Sequence, residues 1–208
     1  MLSVPTVFVV DDDPSVRTAV SRLLASVGLT AQTFANADEF RHQVEASRPG
    51  CLILDVRMPG ASGLDLQREL TSAGYELPVI FVTAHADVAL TVRAMQAGAS
   101  HVFTKPFDDQ LLLDAVNAAL VRDRQHRIAR AEVQVLQERF GTLTAREREV
   151  MTLVVTGLLN KQIALKLGTA EKTIKVHRAQ VMHKMQAASL ADLVRMADRL
   201  SASGPSLQ

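Results

Sequence analysis

Residues 7–13 read VFVVDDD, an apolar run that ends in three consecutive carboxylates. Strands buried on both faces of a parallel sheet have such continuous runs of Val, Ile and Leu. Four runs of this kind end at a polar group: VFVV before Asp11, CLIL before Asp55, VIFV before Thr83, and a shorter stretch around Val102 before Lys105-Pro106. Ligands bind where the carboxyl ends of parallel strands meet. We therefore expect the acids, the hydroxyl and the lysine to converge at one edge of a sheet.

Helix-like stretches separate these runs throughout residues 1–121. After the first run, Pro14 stands where a first helical turn begins, and apolar residues recur at helical spacing as far as Gly28. Four further strands are predicted at 31–34 and near residues 51, 79 and 102, with helices near 37–47, 64–73, 87–97 and 108–121. This alternation predicts a doubly wound α/β domain with five parallel strands.

Length and composition indicate a globular protein. The chain has 208 residues, 48% of them hydrophobic, which suits one large or two small globular domains. It has no apolar run of about 18 residues to span a membrane, and residues 1–6 lack the features of a signal peptide. The single cysteine, Cys51, lies inside an apolar run, which indicates a core residue in a reducing compartment. We expect a soluble, cytoplasmic bacterial protein with no membrane partner.

The two halves of the chain carry opposite charge. Residues 1–120 contain 8 Lys and Arg against 14 Asp and Glu, whereas residues 121–208 contain 15 against 8. Surface charge alone could produce this asymmetry. A basic half next to an acidic half also suggests that the second half meets nucleic acid.

The residues predicted at the sheet edge suit phosphoryl chemistry. Crowded carboxylates repel one another, and a Mg²⁺ ion, which prefers oxygen ligands, relieves that repulsion. An aspartate can also attack phosphorus and form an aspartyl phosphate. Thr83 and Lys105 then supply a hydroxyl donor and a positive charge for the phosphoryl oxygens. Taken alone, residues 11–13 could instead be an acidic turn that caps the following helix.

Residues 4–121 resemble the receiver domain of bacterial two-component response regulators. The matching motifs are VVDDD at 9–13, LDVRMPGASG at 54–63, TAHADVALTVRAMQAGA at 83–99 and KPF at 105–107, of which the third is similar to the FixJ-like subgroup. The resemblance implies a flavodoxin-like fold. It also implies that Asp55 accepts a phosphoryl group from the phosphohistidine of a sensor histidine kinase.

The resemblance assigns roles to the other residues at the edge. Mg²⁺ would be held by four groups: the side chains of Asp11, Asp12 and Asp55, with Asp12 and Asp55 as direct ligands, and the backbone carbonyl of Arg57. Thr83 would be the switch hydroxyl, with the small Ala84 beside it, and Lys105 would contact the phosphoryl group across a cis Lys105-Pro106 bond. Asp13 is expected at the entry of the first helix.

Val102 departs from the receiver pattern, and His85 is a further residue near the predicted site. Receivers often carry a Tyr or Phe three residues before the lysine, which turns inward when the threonine moves, but this chain has Val102. The aromatic switch is therefore not expected, and Phe103 is predicted to be core or a register variant. His85 would lie beside the active site, where it either influences the attacking water or is an ordinary loop residue.

Residues 122–140 contain no Gly or Pro and mix charged with sparse apolar residues. This composition predicts an exposed helix that continues the last receiver helix. The chain is accordingly divided into a receiver domain at 1–121, a helical linker at 122–141, a DNA-binding domain at 142–200 and a flexible tail at 201–208.

Four short helices are predicted in the third segment. Thr144 and Glu147 form a capping box at the start of the first, Asn160 is the expected cap of the second, and the third and fourth span about 171–185 and 189–200. Four helices with brief turns indicate an all-α helix-turn-helix domain.

The third helix has a basic face, at the spacing of one helix side, that suits the major groove. Residues 142–200 also resemble the LuxR-type helix-turn-helix of the NarL/FixJ class, through LTAREREV at 143–150, GLLNKQIALKLG at 157–168 and TAEKTIKVHRAQVMHKM at 169–185. The resemblance implies two groups of DNA-binding residues: Lys175, Val176 and Ala179 toward bases, and Lys161, Lys172, Thr173, Arg178 and Lys184 toward phosphates. A solvated amphipathic helix is the alternative.

The cap of the third helix differs from that of relatives, and the apolar residues of the fourth helix allow two interpretations. Ala170 stands where the family commonly has a capping Ser, so Thr169 or a backbone arrangement must cap the helix. Four apolar residues of the fourth helix serve either dimerisation on DNA or packing within the domain: Leu190, Leu193, Val194 and Ala197.

The two resemblances together predict a DNA-binding transcriptional response regulator. Phosphorylation of Asp55 would favour a homodimer that binds double-stranded promoter DNA and activates transcription together with RNA polymerase. The alternatives are a transcription factor whose receiver acts without phosphorylation, and a Mg²⁺-dependent phosphohydrolase that uses Asp55 on small phosphoesters. The basic third helix argues against the hydrolase, so no enzyme activity is expected beyond phosphorylation and dephosphorylation of the chain's own aspartate.

Overall fold

The computed structural model describes residues 4–84 and 87–203, and the chain divides into two compact units, Met1–His126 and Arg127–Gln208. The first unit contains a parallel sheet of five strands in the order β2-β1-β3-β4-β5. The strands are β1 Thr6–Val10, β2 Thr30–Phe34, β3 Gly50–Asp55, β4 Val79–Thr83 and β5 His101–Thr104. The predicted doubly wound α/β fold is confirmed.

Helices connect the strands and cover both faces of the sheet. They are α1 Pro14–Ser26, α2 Ala37–Gln43, α3 Gly63–Ser72, α4 Val88–Gln96 and α5 Asp109–Gly141. The helix predicted at 37–47 ends early, because Val44 has an extended backbone (φ −113°, ψ 118°) and buries its side chain. Helix α5 is continuous through the residues predicted as a linker.

The continuous apolar runs of the sequence reflect burial on two faces. In β1, Phe8 and Val10 belong to a core that includes residues of α2, α3 and α4, whereas Val7 and Val9 belong to a second core with residues of α1 and α5. Side chains alternate along a strand, so a strand covered on both sides needs apolar residues at every position. This two-sided core fixes which strand ends lie side by side.

The second unit is helical and has its own core. Its helices after α5 are α6 Ala145–Val155, α7 Asn160–Lys166, α8 Glu171–Met185 and α9 Leu190–Ser203. The predicted capping box at Thr144 and Glu147 is present. Asn160 is the first residue of α7 instead of its cap, and the cap position is held by Leu159.

Helix α9 also extends into the segment predicted as a flexible tail. The rest of that tail, 204–208, and His85 lie outside the described residues. No helix within 4–84 and 87–203 has both the length and the apolar character that a membrane crossing requires.

Candidate functional site

The carboxyl ends of β1, β3 and β4 bring the predicted polar residues together. Asp55 ends β3 in register with Val82 of β4, and Thr83 ends β4 in register with Thr104 of β5. Asp11, directly after β1, is fully buried, as is Thr83, and Asp55 is buried at 6% exposure. The sheet therefore places two carboxylates and a hydroxyl at one edge, away from bulk water.

Lys105 joins the two buried carboxylates. Its Nζ donates to Oδ2 of Asp11 at 2.6 Å and to Oδ2 of Asp55 at 2.7 Å. Burial by itself would lower the pKa of Lys105, but the hydrogen bonds to Asp11 and Asp55 raise it above its ordinary value. Burial raises the pKa of Asp11 in spite of the opposing hydrogen bond from Lys105. The ammonium group is thus held as a cation between two acids.

The acidic residues have the arrangement of a candidate cation site. Carboxylate oxygens of Asp11, Asp12 and Asp55 all lie within 4.8 Å of one another, with Asp12 exposed and the other two buried. Three carboxylates of this kind match the preference of Mg²⁺ for hard oxygen ligands. The backbone N–H of Arg57 donates to Oδ1 of Asp55 at 3.0 Å, which brings the loop after β3 to the same place.

Asp13 lies outside this cluster, which agrees with its predicted place at the entry of the first helix. It is the N-cap of α1, and its Oδ1 accepts from the backbone N–H of Ser15 at 2.8 Å and from the Ser15 hydroxyl at 2.7 Å. These hydrogen bonds lower the pKa of Asp13. The third aspartate of the run therefore has a helix-capping role.

The neighbourhood of Lys105 agrees with two further predictions. The Lys105-Pro106 peptide bond is cis, as expected, and the backbone N–H of Lys105 donates to the carbonyl of Thr83 at 2.8 Å. Val102 packs against the core on the α3 and α4 side of the sheet, and Phe103 packs against the opposite core. Phe103 is thus a core-facing residue, and its ring also stacks on His101 with centroids 6.0 Å apart.

The second unit presents most of the predicted DNA-binding residues to solvent. In α8, Ile174, Val181 and Met185 are buried, so the opposite side of the helix faces outward. Six of the eight predicted residues are exposed: Lys161, Lys172, Thr173, Lys175, Val176 and Ala179. Val176 is 55% exposed although it is apolar, which leaves it free to contact a thymine methyl group.

The other two predicted residues are bonded within the domain. The Nζ of Lys184 lies 2.7 Å from Oε2 of Glu147 and 3.3 Å from the carbonyl of Thr142. The Nη1 of Arg178 donates to Oδ1 of Asn160 at 3.2 Å. Both cations therefore have hydrogen-bond partners within the domain. To contact a phosphate, each side chain would have to keep its partner as well or give it up.

Other contacts could not be read from the sequence. The capping box was predicted, but not the ion pair that ties Glu147 of α6 to Lys184 of α8. The bond from Nη1 of Arg17 to the backbone carbonyl of Asp11, at 2.6 Å, was also missed. An amphipathic pattern shows which side of a helix is buried, but it does not identify a polar partner on another helix.

The start of α8 answers one open question, and the buried side of α9 answers part of a second. Ala170 is the N-cap of α8 and no side chain caps the helix, so Thr169 does not replace the missing serine. Leu193 and Ala197 are buried in the core of their own unit, which shows that packing within the domain takes them. Leu190 is 37% exposed.

A five-stranded parallel sheet with an acidic edge, followed by a helical unit with a basic outward face, has the arrangement of a receiver domain joined to a DNA-binding domain. Comparison with known families gives the same result. Residues 7–117 match the response regulator receiver domain, and residues 141–197 match the bacterial regulatory proteins of the luxR family. The chain belongs to the response regulators that combine a receiver with a LuxR-type DNA-binding domain.

Similar proteins share both domains. Nodulation protein W of Bradyrhizobium diazoefficiens is 51% identical, over 95% of this chain and 87% of its own. The transcriptional regulatory protein FixJ of Azorhizobium caulinodans is 45% identical, over 92% of this chain and 90% of its own. The solved structure of response regulator StyR is 47% identical and covers 95% of this chain and all of its own, with a TM-score of 0.85. Homologues of this chain are thus transcriptional regulators of two-component systems.

Proposed function

We propose that Asp55 is the phosphoacceptor through which a sensor histidine kinase controls this regulator. The observation that carries the proposal is the position of Lys105 Nζ, 2.7 Å from Asp55 Oδ2 and 2.6 Å from Asp11 Oδ2. A carboxylate oxygen of Asp55 attacks the phosphorus of a phosphohistidine, the P–N bond breaks, and the imidazole leaves. Lys105 remains beside the product to balance the charge of the phosphoryl oxygens.

The same edge is suited to hold one Mg²⁺ ion. The proposed ligands are the side chains of Asp11, Asp12 and Asp55 and the backbone carbonyl of Arg57. A bound Mg²⁺ neutralises charge on the phosphoryl oxygens. Asp12, the exposed member of the cluster, lies where an ion would enter from solvent.

The phosphoryl group is proposed to shift the receiver toward a state that dimerises. Thr83, which is fully buried at the end of β4, would move toward the phosphoryl oxygens. The exposed side of α4 carries apolar residues at helical spacing, among them Val92 and Met95 at 47% and 48% exposure. We assign this side, with β5 and the start of α5, to the homodimer contact of the phosphorylated receiver.

The dimer would bind two half-sites in promoter DNA, with α8 in the major groove. Lys175, Val176 and Ala179 are assigned to bases, and Lys161, Lys172 and Thr173 to phosphates, with Arg178 and Lys184 as phosphate contacts that depend on giving up their partners in the domain. The names of the relatives describe regulatory proteins of transcription. We propose activation of transcription, with RNA polymerase as a further partner.

Phosphorylation with acetyl phosphate and Mg²⁺ tests the proposal. The wild-type chain should retain about one phosphoryl group, and Asp55→Asn should retain none, because an amide is not nucleophilic toward phosphorus. Promoter DNA binding should strengthen on phosphorylation in the wild type alone. Rapid turnover of acetyl phosphate without a retained phosphoryl group would indicate the phosphohydrolase instead. Equal DNA affinity with and without phosphorylation would indicate a receiver that acts independently of it.

A further inference from the structure

The part of α5 that belongs to the second unit carries exposed apolar residues at a seven-residue spacing. Ile128 is 48% exposed and Val135 is 44% exposed. Residues seven apart on a helix differ in direction by only about 20°, so both point to the same side. In the sequence, Val121 precedes Ile128 by the same seven residues and is 56% exposed. All three are β-branched.

Ile128 and Val135 border an open groove in the second unit. The groove has a volume of about 550 Å³, and Ile128, Ala131 and Val135 line it together with Met196 of α9. Charges of both signs lie among its walls, including Glu132 and Arg199, whose side chains form an ion pair at 3.0 Å. An apolar strip between charges of both signs is typical of a protein contact surface.

We propose that this side of α5 pairs with the same side of a second copy of the chain as a short parallel coiled coil. β-branched residues are common at the first position of each heptad in two-stranded parallel coiled coils. Ile128 and Val135 occupy that position, and Ala131 occupies the fourth, where a small side chain lets the two helices approach. This pairing rests on the proposed function, because it extends the homodimer described above.

The charged residues beside the apolar side of α5 favour a second copy of the chain over another partner. In a parallel coiled coil, the seventh position of one heptad meets the fifth position of the next heptad on the other helix. Arg127 and Glu132 hold these positions. Each Arg127 would therefore lie beside the partner's Glu132, twice in a two-fold dimer. The side chains of Glu132 and Arg199 are both more than half exposed, so sharing Glu132 with a second cation costs little.

The pairing is expected to be weak by itself. By the heptad count, charged residues occupy the fourth position on either side of Ala131, namely Arg124 and Glu138. A coiled coil with charged residues at these positions forms when another contact first brings two copies together, because that contact raises the effective concentration of the helices. The phosphorylated receiver would provide this first contact, and the paired helices would then bring two DNA-binding units together.

Charge reversal in the full-length chain tests the pairing. Arg127→Glu and Glu132→Lys each place like charges side by side in both pairs, so each should weaken dimerisation of the phosphorylated protein roughly tenfold. The double variant restores opposite charges and should return to within about threefold of the wild type. Sedimentation measures the dimer, and a phosphate-affinity gel measures phosphoryl uptake in the same samples. Equal dimerisation by all four proteins would overturn the pairing.

Disulfide formation gives a second readout of which side of the helix pairs. Val135→Cys should cross-link two copies under mild oxidation, whereas Gln137→Cys, about 200° around the helix, is the matched control. The native Cys51 will not compete, because it is fully buried and burial raises its pKa to about 12. At least tenfold more cross-linked dimer from Val135→Cys is the expected result, and equal yields would refute the pairing.

The two proposals can fail separately. Loss of phosphoryl uptake by the wild type would refute the proposed function. The disulfide comparison at increasing protein concentration needs no phosphoryl group, and it would still decide whether α5 pairs. Phosphoryl uptake without any dimer, together with equal disulfide yields, would refute the coiled coil and leave the phosphoacceptor assignment standing.

Discussion

Lys105 shows how single residues make the receiver edge stable before it reacts. Two carboxylates with buried oxygens would repel each other strongly in the absence of a counter-charge. Lys105 lies within hydrogen-bond distance of both, and its own pKa is raised above its ordinary value. The same ammonium group can balance the charge of a phosphoryl group on Asp55. Under the proposed function, one residue would serve both the resting state and the phosphorylated state.

Gly63 is required by the close approach of α3 to the end of β3. A Cβ atom at this position would lie 2.1 Å from the backbone carbonyl oxygen of Asp55. We expect Gly63→Ala to displace the end of β3, to lower the free energy of unfolding of the receiver by about 1–3 kcal/mol and to slow phosphoryl uptake. Urea unfolding and uptake from acetyl phosphate measure the two effects.

Gly141→Ala is the matched control for this substitution. No atom lies within 4 Å of a Cβ at Gly141, which is the last residue of α5. Alanine is favoured over glycine in helices, so stability should be unchanged or slightly higher. If both variants lost the same stability, steric contact with Asp55 would not be the cause.

Glu147 provides a pH-dependent contribution to the stability of the second unit. The hydrogen bond from Lys184 and that from the backbone of Thr144 lower the pKa of Glu147 below its ordinary value of 4.5. A lowered pKa means that the stabilisation is complete above pH 4.5 and is lost as the pH falls through the pKa of the folded state. Glu147→Gln should therefore cost about 1–2 kcal/mol at pH 7 and much less at acidic pH.

Urea unfolding of the full-length chain, followed on NMR signals of α6 at several pH values, checks this expectation. Glutamine preserves an acceptor for the backbone N–H of Thr144, so the comparison isolates the charge that meets Lys184. A difference between the two proteins that stays constant with pH would show that the ion pair contributes nothing.

At the scale of elements, α8 divides its residues between the domain core and an outward basic face. Lys175 projects from that face, 63% exposed, with Glu171 as an ion-pair partner at 3.2 Å. Lys175→Ala should weaken binding to a specific promoter site by about 1–3 kcal/mol if the lysine reads a base. Titration of the full-length protein against specific and unrelated duplexes measures the effect.

Lys166→Ala controls for the general loss of positive charge. Lys166 is exposed at the end of α7 and lies outside the predicted DNA-binding set. Its removal should change binding less than that of Lys175. An equal loss for Lys175→Ala on every duplex would make this lysine a phosphate contact, since phosphates carry no sequence information.

At the scale of the whole molecule, we propose that phosphorylation changes how copies of the chain associate. Val92 of α4 is 47% exposed and belongs to the face that we assign to the receiver dimer. Val92→Glu should leave phosphoryl uptake unchanged and weaken dimerisation of the phosphorylated chain at least tenfold, because a carboxylate at a dimer contact loses its water. Sedimentation with and without acetyl phosphate measures this loss.

Val27→Glu is the control for an exposed valine elsewhere on the receiver. Val27 follows α1 and is 50% exposed, close to the value for Val92. Its substitution should leave both uptake and dimerisation unchanged. Equal dimerisation of the Val92 variant and the wild type would remove α4 from the contact.

Much of the fold and the receiver edge could be predicted, because the signals are local. Continuous apolar runs predict strands buried on two faces, and the polar residue after each run predicts the edge at which they meet. Asp13 was expected to cap α1, and Thr144 with Glu147 was expected to begin α6; both are confirmed. The strands and the helix starts depend on residues that lie within one turn or one strand of each other. The edge follows from them because the carboxyl ends of parallel strands meet on one side of the sheet.

The sequence by itself determined the strands, the starts of α1 and α6, and the outward basic face of α8. It also determined the meeting of Asp11, Asp55, Thr83 and Lys105. The tertiary structure alone decided which polar groups pair across the chain. It pairs Glu147 with Lys184 and Asn160 with Arg178, so two residues predicted to contact phosphates also have partners within the domain. It also buried Leu193 and Ala197 of α9. Hydrophobic periodicity is a property of one element, whereas such a pair depends on the distance and rotation of two elements packed against each other.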